Sequence, residues 1–510
     1  MRWAPFAPLL GIALGCTASN RTEPSQGPLP LTDGLSSVTW AKESVHPIEW
    51  PIPTDLGELL EYVTVEQSVD GGRTYAHIGT VALQERYFRW TLPADGEQAR
   101  IRVTFFGAKD GRSTGALRHL DSPEVRLGPS QRRNYTWKRV ANDAPFGPRD
   151  GAGGLVFGGK MWLIGGWNGN RFPLVSANDV WSSTDGATWT EVKPNTFVDP
   201  QKLDRANDWE GRHFAGYQVW NGAMWIVGGD VVQGYYQTDV WRSTDGAHWT
   251  RTDVHRKVPR LIEDTNPNSP TFGTLVELTD YRPAEVADFG MRSLHVTGVF
   301  RNRLYVMGGQ RIEQFVNPIW PGAPAAAFND VWVSDDGARF SMVPTASPMW
   351  SPRGLVGEAV EHDGRMWLIG GGTYDDPGTP LRDRTYSNEV WSTRDGARWE
   401  KTSEQPPFSP RVWHNVQVFD GRIFVIHGYD GPEGGRGRSA DNLRDVWYSA
   451  DGRNWYDAKT PPELTGRHAG TAWVHAGSLF VGAGNAFAVV PPDTSTARWI
   501  ADVWRMSIAE

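Results

Sequence analysis

The sequence predicts an all-β protein: a six-bladed β-propeller closed by an N-terminal strand, preceded by a small N-terminal β-sandwich. Three observations predict it. A unit of the form Arg, GG, (N)D-V-W, S-x-D-G recurs six times after residue 134. A complete copy contains four strand-like runs. The last copy lacks its fourth run, and a matching one stands upstream, Y-T-W-K-R-V at 135–140 against A-T-W-T-E-V at 187–192.

Composition sets the frame. The chain has 510 residues, 39% of them hydrophobic, with 57 Gly and 36 Pro, an ordinary globular content rich in turns. A net charge of −8 gives no electrostatic footprint for nucleic acid. With a single cysteine, the chain has no internal disulfide, no Cys-rich zinc site and no iron–sulfur cluster.

Residues 1–16 read M-R-W-A-P-F-A-P-L-L-G-I-A-L-G-C: one cation, then an apolar run too short for a bilayer, which needs about 20 residues. This predicts an export signal. Its end resembles a bacterial lipobox, with Leu14 two residues before Cys16 rather than three, which implies acylation of Cys16. A plain secretory signal with an incidental cysteine is the alternative. Residues 17–36 are polar and Pro/Gly-bearing, as a tether is. The expected placement is the cell envelope, periplasmic or outer-surface, held to the membrane by the lipid anchor only.

From 37 to 130, runs such as 62–69, 86–92 and 99–106 alternate apolar and polar residues between Gly/Pro/Asp turns, predicting a β-sandwich. The patterns I-x-W (48–50), S-V-D-G-G-R-T-Y (68–75) and F-R-W-T-L-P (88–93) resemble immunoglobulin- or fibronectin-like modules of secreted bacterial proteins, which implies a spacer or adhesive role.

The repeat occupies 134–510. Its arginines are Arg149, Arg212, Arg292, Arg353, Arg411 and Arg467, each 16 residues before the first member of the GG pair, or 17 in the fourth copy. The D-V-W tryptophans, or their E-V-W equivalent, are Trp181, Trp241, Trp332, Trp391, Trp447 and Trp504, evenly spaced except for an insertion at 250–291. Four-stranded antiparallel units repeated about an axis bury both faces of each sheet. A strand from the N-terminal side completing the last unit removes an open edge. This R…GG…W pattern resembles kelch-type propellers such as the central domain of galactose oxidase. The S-x-D-G-x-x-W turns also resemble the Asp-boxes of sialidase-like repeats, which are folding elements.

The two tight turns of each unit fall on one face, and the long connections after GG and between units on the other, where binding is expected. If the six arginines point inward there, they ring the channel mouth and suit carboxylates or phosphates. The alternative is structural hydrogen bonding, common for this Arg in kelch repeats. His213, His295, His414 and His468 lie within three residues of them, for ligand contact or polar packing. Trp167, Trp320 and Tyr374, with Phe172, Tyr235, Tyr236, Phe315, Tyr386 and Trp499, offer aromatic faces suited to sugars or protein partners. Acid–base pairs drawn from Asp375, Asp376, Asp383 and Glu389 carry no specific motif, and no catalytic residue is assigned. No H-E-x-x-H or other ligand pair predicts a metal, and no cofactor is expected. A copper radical oxidase needs a cysteine cross-linked to tyrosine, which Cys16 does not supply. The expectation is a lipoprotein that binds a glycan or an envelope protein; the alternative is a glycan-active enzyme such as a sialic acid epimerase/mutarotase or a glycoside hydrolase.

Overall fold

The computed structural model describes residues 39–509 apart from 54–59, 83–86, 110–111, 169–174, 199–202, 205, 233–234, 254–255, 264–274, 283–287, 291, 293, 312–325, 355–356, 374–384, 431–441 and 487–498. Cys16 with the leader and tether, Trp320 and Tyr374 lie outside the described residues. Those residues form strands and turns, with no helix among them.

The first eight strands make two sheets. Gln98–Lys109 pairs with Leu60–Ser68 on one side, which in turn pairs with Ala76–Ala82. Arg112–Asp121 and Val125–Gly128 also pair with Gln98–Lys109, and Thr39–Ala41 runs parallel to Val125–Gly128. Val45–Glu49 and Tyr87–Thr91, non-consecutive in the chain, form a separate antiparallel pair. Strand alternation builds the core: Val63, Val65, Ile101, Val103 and Phe105 are buried with Ile48 and Trp90 of the smaller sheet.

Six four-stranded antiparallel sheets follow. The first is typical: Gly153–Phe157, Lys160–Trp167, Ser176–Ser183 and Thr190–Lys193 pair in chain order. The second to fifth begin at Gly216–Trp220, Val296–Phe300, Val360–His362 and Asn415–Phe419. The sixth contains Thr471–His475, Ser478–Gly482 and Val503–Ile508, and its fourth strand is Tyr135–Ala141, with Trp504 opposite Arg139 and Met506 opposite Trp137. The insertion at 250–291 contributes an extra antiparallel pair, Arg256–Glu263 with Leu275–Arg282.

Local chemistry dictates these hairpins. The first turn of each sheet places two successive residues at positive φ: Gly158–Gly159, Asn221–Gly222, Arg301–Asn302, Asp363–Gly364, Asp420–Gly421 and Ala476–Gly477. That is the two-residue turn whose twist matches paired strands. The turn between the third and fourth strands is stapled by side chains. Ser183 Oγ accepts from the Gly186 amide at 2.8 Å, and Asp185 Oδ1 accepts from the Ala187 and Thr188 amides at 2.9 and 2.8 Å. Ser243/Asp245, Ser334/Asp336, Thr393/Asp395 and Ser449/Asp451 repeat it.

The first strands of successive sheets lie side by side, and that of the sixth lies beside that of the first. Close approach there requires glycine. A Cβ on Gly216 would fall 2.2 Å from Thr297, and one on Gly154 2.3 Å from Thr471. Apolar layers fill the gaps between consecutive sheets: Trp162, Ile164, Tyr217 and Met224 between the first and second, and Met161, Leu163, Trp473 and Phe480 between the first and sixth.

The N-terminal module is seated on the fifth sheet. Val45 N donates to Trp455 O at 2.8 Å, Ala41 N to Asn454 Oδ1 at 2.9 Å, and Tyr456 Oη to Lys42 O at 3.1 Å.

Candidate functional site

The six arginines are buried inside their own sheets, 0–4% exposed. Arg212 shows the arrangement. Its Nη1 donates to Gly228 O at 2.7 Å, and Nη1 and Nη2 grip Asp239 at 2.6 and 2.7 Å. The same carboxylate accepts from Trp241 Nε1 at 2.5 Å. Burial opposes ionisation of Asp239, but Arg212 and Trp241 outweigh it and hold the carboxyl at about 2.

The other copies repeat the bidentate pair: Arg149 with Asp179, Arg292 with Asp330, Arg411 with Asp445 and Arg467 with Asp502. The fourth copy differs in both sequence and geometry. Glu389 replaces the Asp, Ser387 Oγ takes one bond from Arg353, and the link to Gly370 O stretches to 3.4 Å. Spacing of 16 residues, 17 in the fourth copy, thus carries each guanidinium to the carbonyl of Gly165, Gly228, Gly308, Gly370, His427 or Ala483, and a carboxylate neutralises it. These side chains are buried and paired with carboxylates, not free cations open to a ligand.

The histidines also divide by role. His295 Nε2 donates to Val227 O at 3.0 Å and His414 Nε2 to Ile369 O at 2.9 Å, tying each sheet to the one before it. Burial and the adjacent arginine push them down to about 4 and about 3, so both are neutral. His468 Nδ1 lies 2.6 Å from Asn442 Oδ1, and burial pushes it down to about 4. His213 sits between two carboxylates, with Nδ1 3.2 Å from Asp230 and Nε2 3.5 Å from Asp150. Burial disfavours its charge, yet Asp150 and Asp230 raise it to about 9. Asp150 accepts further bonds from Trp499 Nε1 at 3.1 Å and Asn485 Nδ2 at 3.3 Å. Half-buried Trp167 packs its ring 5.0 Å from that of His213. Among the described residues, no group of three or more His, Cys, Asp or Glu side chains is placed to hold a metal ion.

The second residue after the arginine builds the centre. Gly151, Phe214, Leu294, Trp413 and Ala469 occupy this place with φ of 58°, 48°, 59°, 54° and 50°. Backbone bonds link them across sheets: Phe214 N to Gly151 O at 3.2 Å, Gly151 N to Ala469 O at 2.9 Å, and Ala469 N to Trp413 O at 2.7 Å. The rings of Phe214, from the second sheet, and Trp413, from the fifth, stack with centroids 6.4 Å apart at 19°. Tyr386 and Tyr429 pack with them and with Leu294. At the same centre, residues from all six sheets line a cavity of about 60 Å³.

Sequence reasoning missed Phe214, Trp413, Asp150 and Asp230. Aligning the copies on their arginines exposes the signal: the second position alternates among Gly, Ala, Leu and two large aromatics, which an ordinary core position does not do. No family model matches the chain, and a search of curated proteins returns no match.

Proposed function

We propose that residues 134–510 are a six-bladed kelch-like propeller on an exported chain, acylated at Cys16 and held at the cell envelope. We further propose that it binds an uncharged glycan at the loop-rich end of its channel. Six four-stranded sheets with adjoining first strands, the last completed by Tyr135–Ala141, support the propeller. The single observation that carries the ligand class is the half-buried Phe214–Trp413 pair, bordered by Tyr386 and Tyr429. Flat apolar faces with polar neighbours suit the CH faces of sugar rings.

Charge argues against an acidic sugar. The six repeat arginines are paired with carboxylates, and Asp150 and Asp230 add anionic groups beside the aromatic cluster. The sialic acid reading thereby loses the cations it relied on. Binding of the full chain to an array of uncharged and acidic glycans tests the proposal. Uncharged glycans are expected to bind, and Phe214→Asn or Trp413→Asn to abolish binding; Asn tolerates the positive φ of both positions. Binding confined to acidic glycans, or undisturbed by both variants, overturns it.

A glycan-active enzyme remains the second reading, resting on His213 clamped between Asp150 and Asp230, an arrangement able to move a proton. Turnover of aryl glycosides that vanishes in a folded His213→Gln variant would establish it.

A further inference from the structure

One half-buried carboxyl has no role in either reading. Glu358 lines the central cavity together with Phe214, Trp413, His295, His414 and Asn415. Gln417 Nε2 donates to its Oε1. Among the described residues no cationic side chain pairs with it, and burial pushes its carboxyl up to about 8. The neighbouring titratable groups give no help: His295 and His414 each commit Nε2–H to a backbone carbonyl and stay neutral.

The rest of the lining supplies what a cation lacks in water. Asn415 spends its Nδ2 on Gly470 O at 2.9 Å, which leaves its Oδ1 turned toward Gly357, 3.0 Å from where a Cβ there would stand. Glu358, two residues before the first strand of the fourth sheet, and Asn415, at the start of the first strand of the fifth, are two acceptors lining one cavity. Phe214 and Trp413 present aromatic faces, which attract a cation within about 6 Å. Gly153, Gly154, Gly470 and Ala472 complete the lining from the first and sixth sheets. A divalent metal fits poorly, since one carboxylate and one amide oxygen fall well short of the six or more oxygens calcium takes. A compact group with three N–H donors fits the two acceptors and the aromatic faces.

We propose that this cavity binds a primary ammonium group of a small ligand, with Glu358 as its counter-ion, Asn415 as its second acceptor and the Phe214–Trp413 pair against its flank. This site shares the Phe214–Trp413 pair with the glycan reading, but its recognition is by charge at Glu358, so Glu358→Gln separates the two: it weakens ethylammonium binding and leaves an uncharged glycan bound.

Isothermal titration of the full chain with ethylammonium chloride at constant ionic strength tests it, with ethanol and sodium chloride as controls. Saturable ethylammonium binding is expected, absent with ethanol and sodium, and weakened at least about tenfold in Glu358→Gln. A folded Glu358→Gln variant that binds as tightly as the parent overturns the proposal, as does equal binding of sodium or no binding at all. A measurement on the unaltered protein stands beside this. The ¹³C carboxyl resonance of Glu358 is expected to titrate at lower pH when ethylammonium is saturating, and an unmoved titration contradicts the site.

Discussion

Gly186 rests against the ring of Phe480, so that a Cβ at Gly186 would come within 2.8 Å of it. This contact joins the first sheet to the sixth. The same turn glycine meets the aromatic residue of the preceding sheet elsewhere: Gly246 on Trp162, Gly337 on Trp225, Gly396 on Tyr305 and Gly452 on Trp367. The sixth sheet has no such turn because two chain segments meet there, and Tyr135 packs edge-on to Phe424 instead, 5.5 Å between centroids. Gly246→Ala places a methyl 2.3 Å from the Trp162 ring at a φ of 78°. Overpacking of this kind costs about 1–3 kcal/mol. Chemical denaturation is expected to show that loss, and an unchanged midpoint would contradict the packing described.

The sixth sheet depends on a segment that precedes the first. Arg139→Pro removes a donor facing Trp504 and opens the edge of Val503–Ile508. Lower thermal stability and concentration-dependent association are expected by light scattering. A variant as stable and monomeric as the parent would show that Tyr135–Ala141 does not close the sheet.

The Arg–Asp–Trp triads predict a graded series. Asp239 is fully buried with Arg212, whereas the Asp330 side chain is 25% exposed beside Arg292. Stranding a buried guanidinium costs about 3–5 kcal/mol, and access to water reduces that. Asp239→Asn is therefore expected to destabilise more than Asp330→Asn in urea unfolding, and the reverse order would refute the ranking.

His213 predicts a pH dependence with a definite sign. Its pKa is raised in the folded chain, from 6.5 to about 9. Its contribution to stability is therefore full below about 6.5 and lost as pH rises through about 9. His213→Gln is expected to flatten the fall in stability between those values, measured as unfolding midpoint against pH. Parallel curves for parent and variant would contradict the clamp by Asp150 and Asp230.

The repeat, its strands and the completing segment were legible because each rests on local chemistry: two-residue turns, S-x-D-G staples and residues spaced to meet across a hairpin. For the arginines the sequence left two roles open, channel cation or structural hydrogen bonding, and the sheet register that brings Arg212 to Asp239 decides for the second. The aromatic centre was less legible still. Phe214 and Trp413 sit about 200 residues apart in the sequence and meet only because two non-consecutive sheets face one another. Of the loop aromatics chosen, Phe172, Phe315, Trp320 and Tyr374 lie outside the described residues, Trp167, Tyr386 and Trp499 stand at the site, and Tyr236 is buried in strand pairing opposite Asp230.

An electron-density map of the full chain is the most direct test of the arrangement on which the site depends. The expected map contains six radial sheets, with Tyr135–Ala141 along the outer edge of Val503–Ile508 and Phe214 stacked on Trp413 at the axis. A seventh sheet, an open arc, or Phe214 and Trp413 on opposite sides of an empty channel would contradict it.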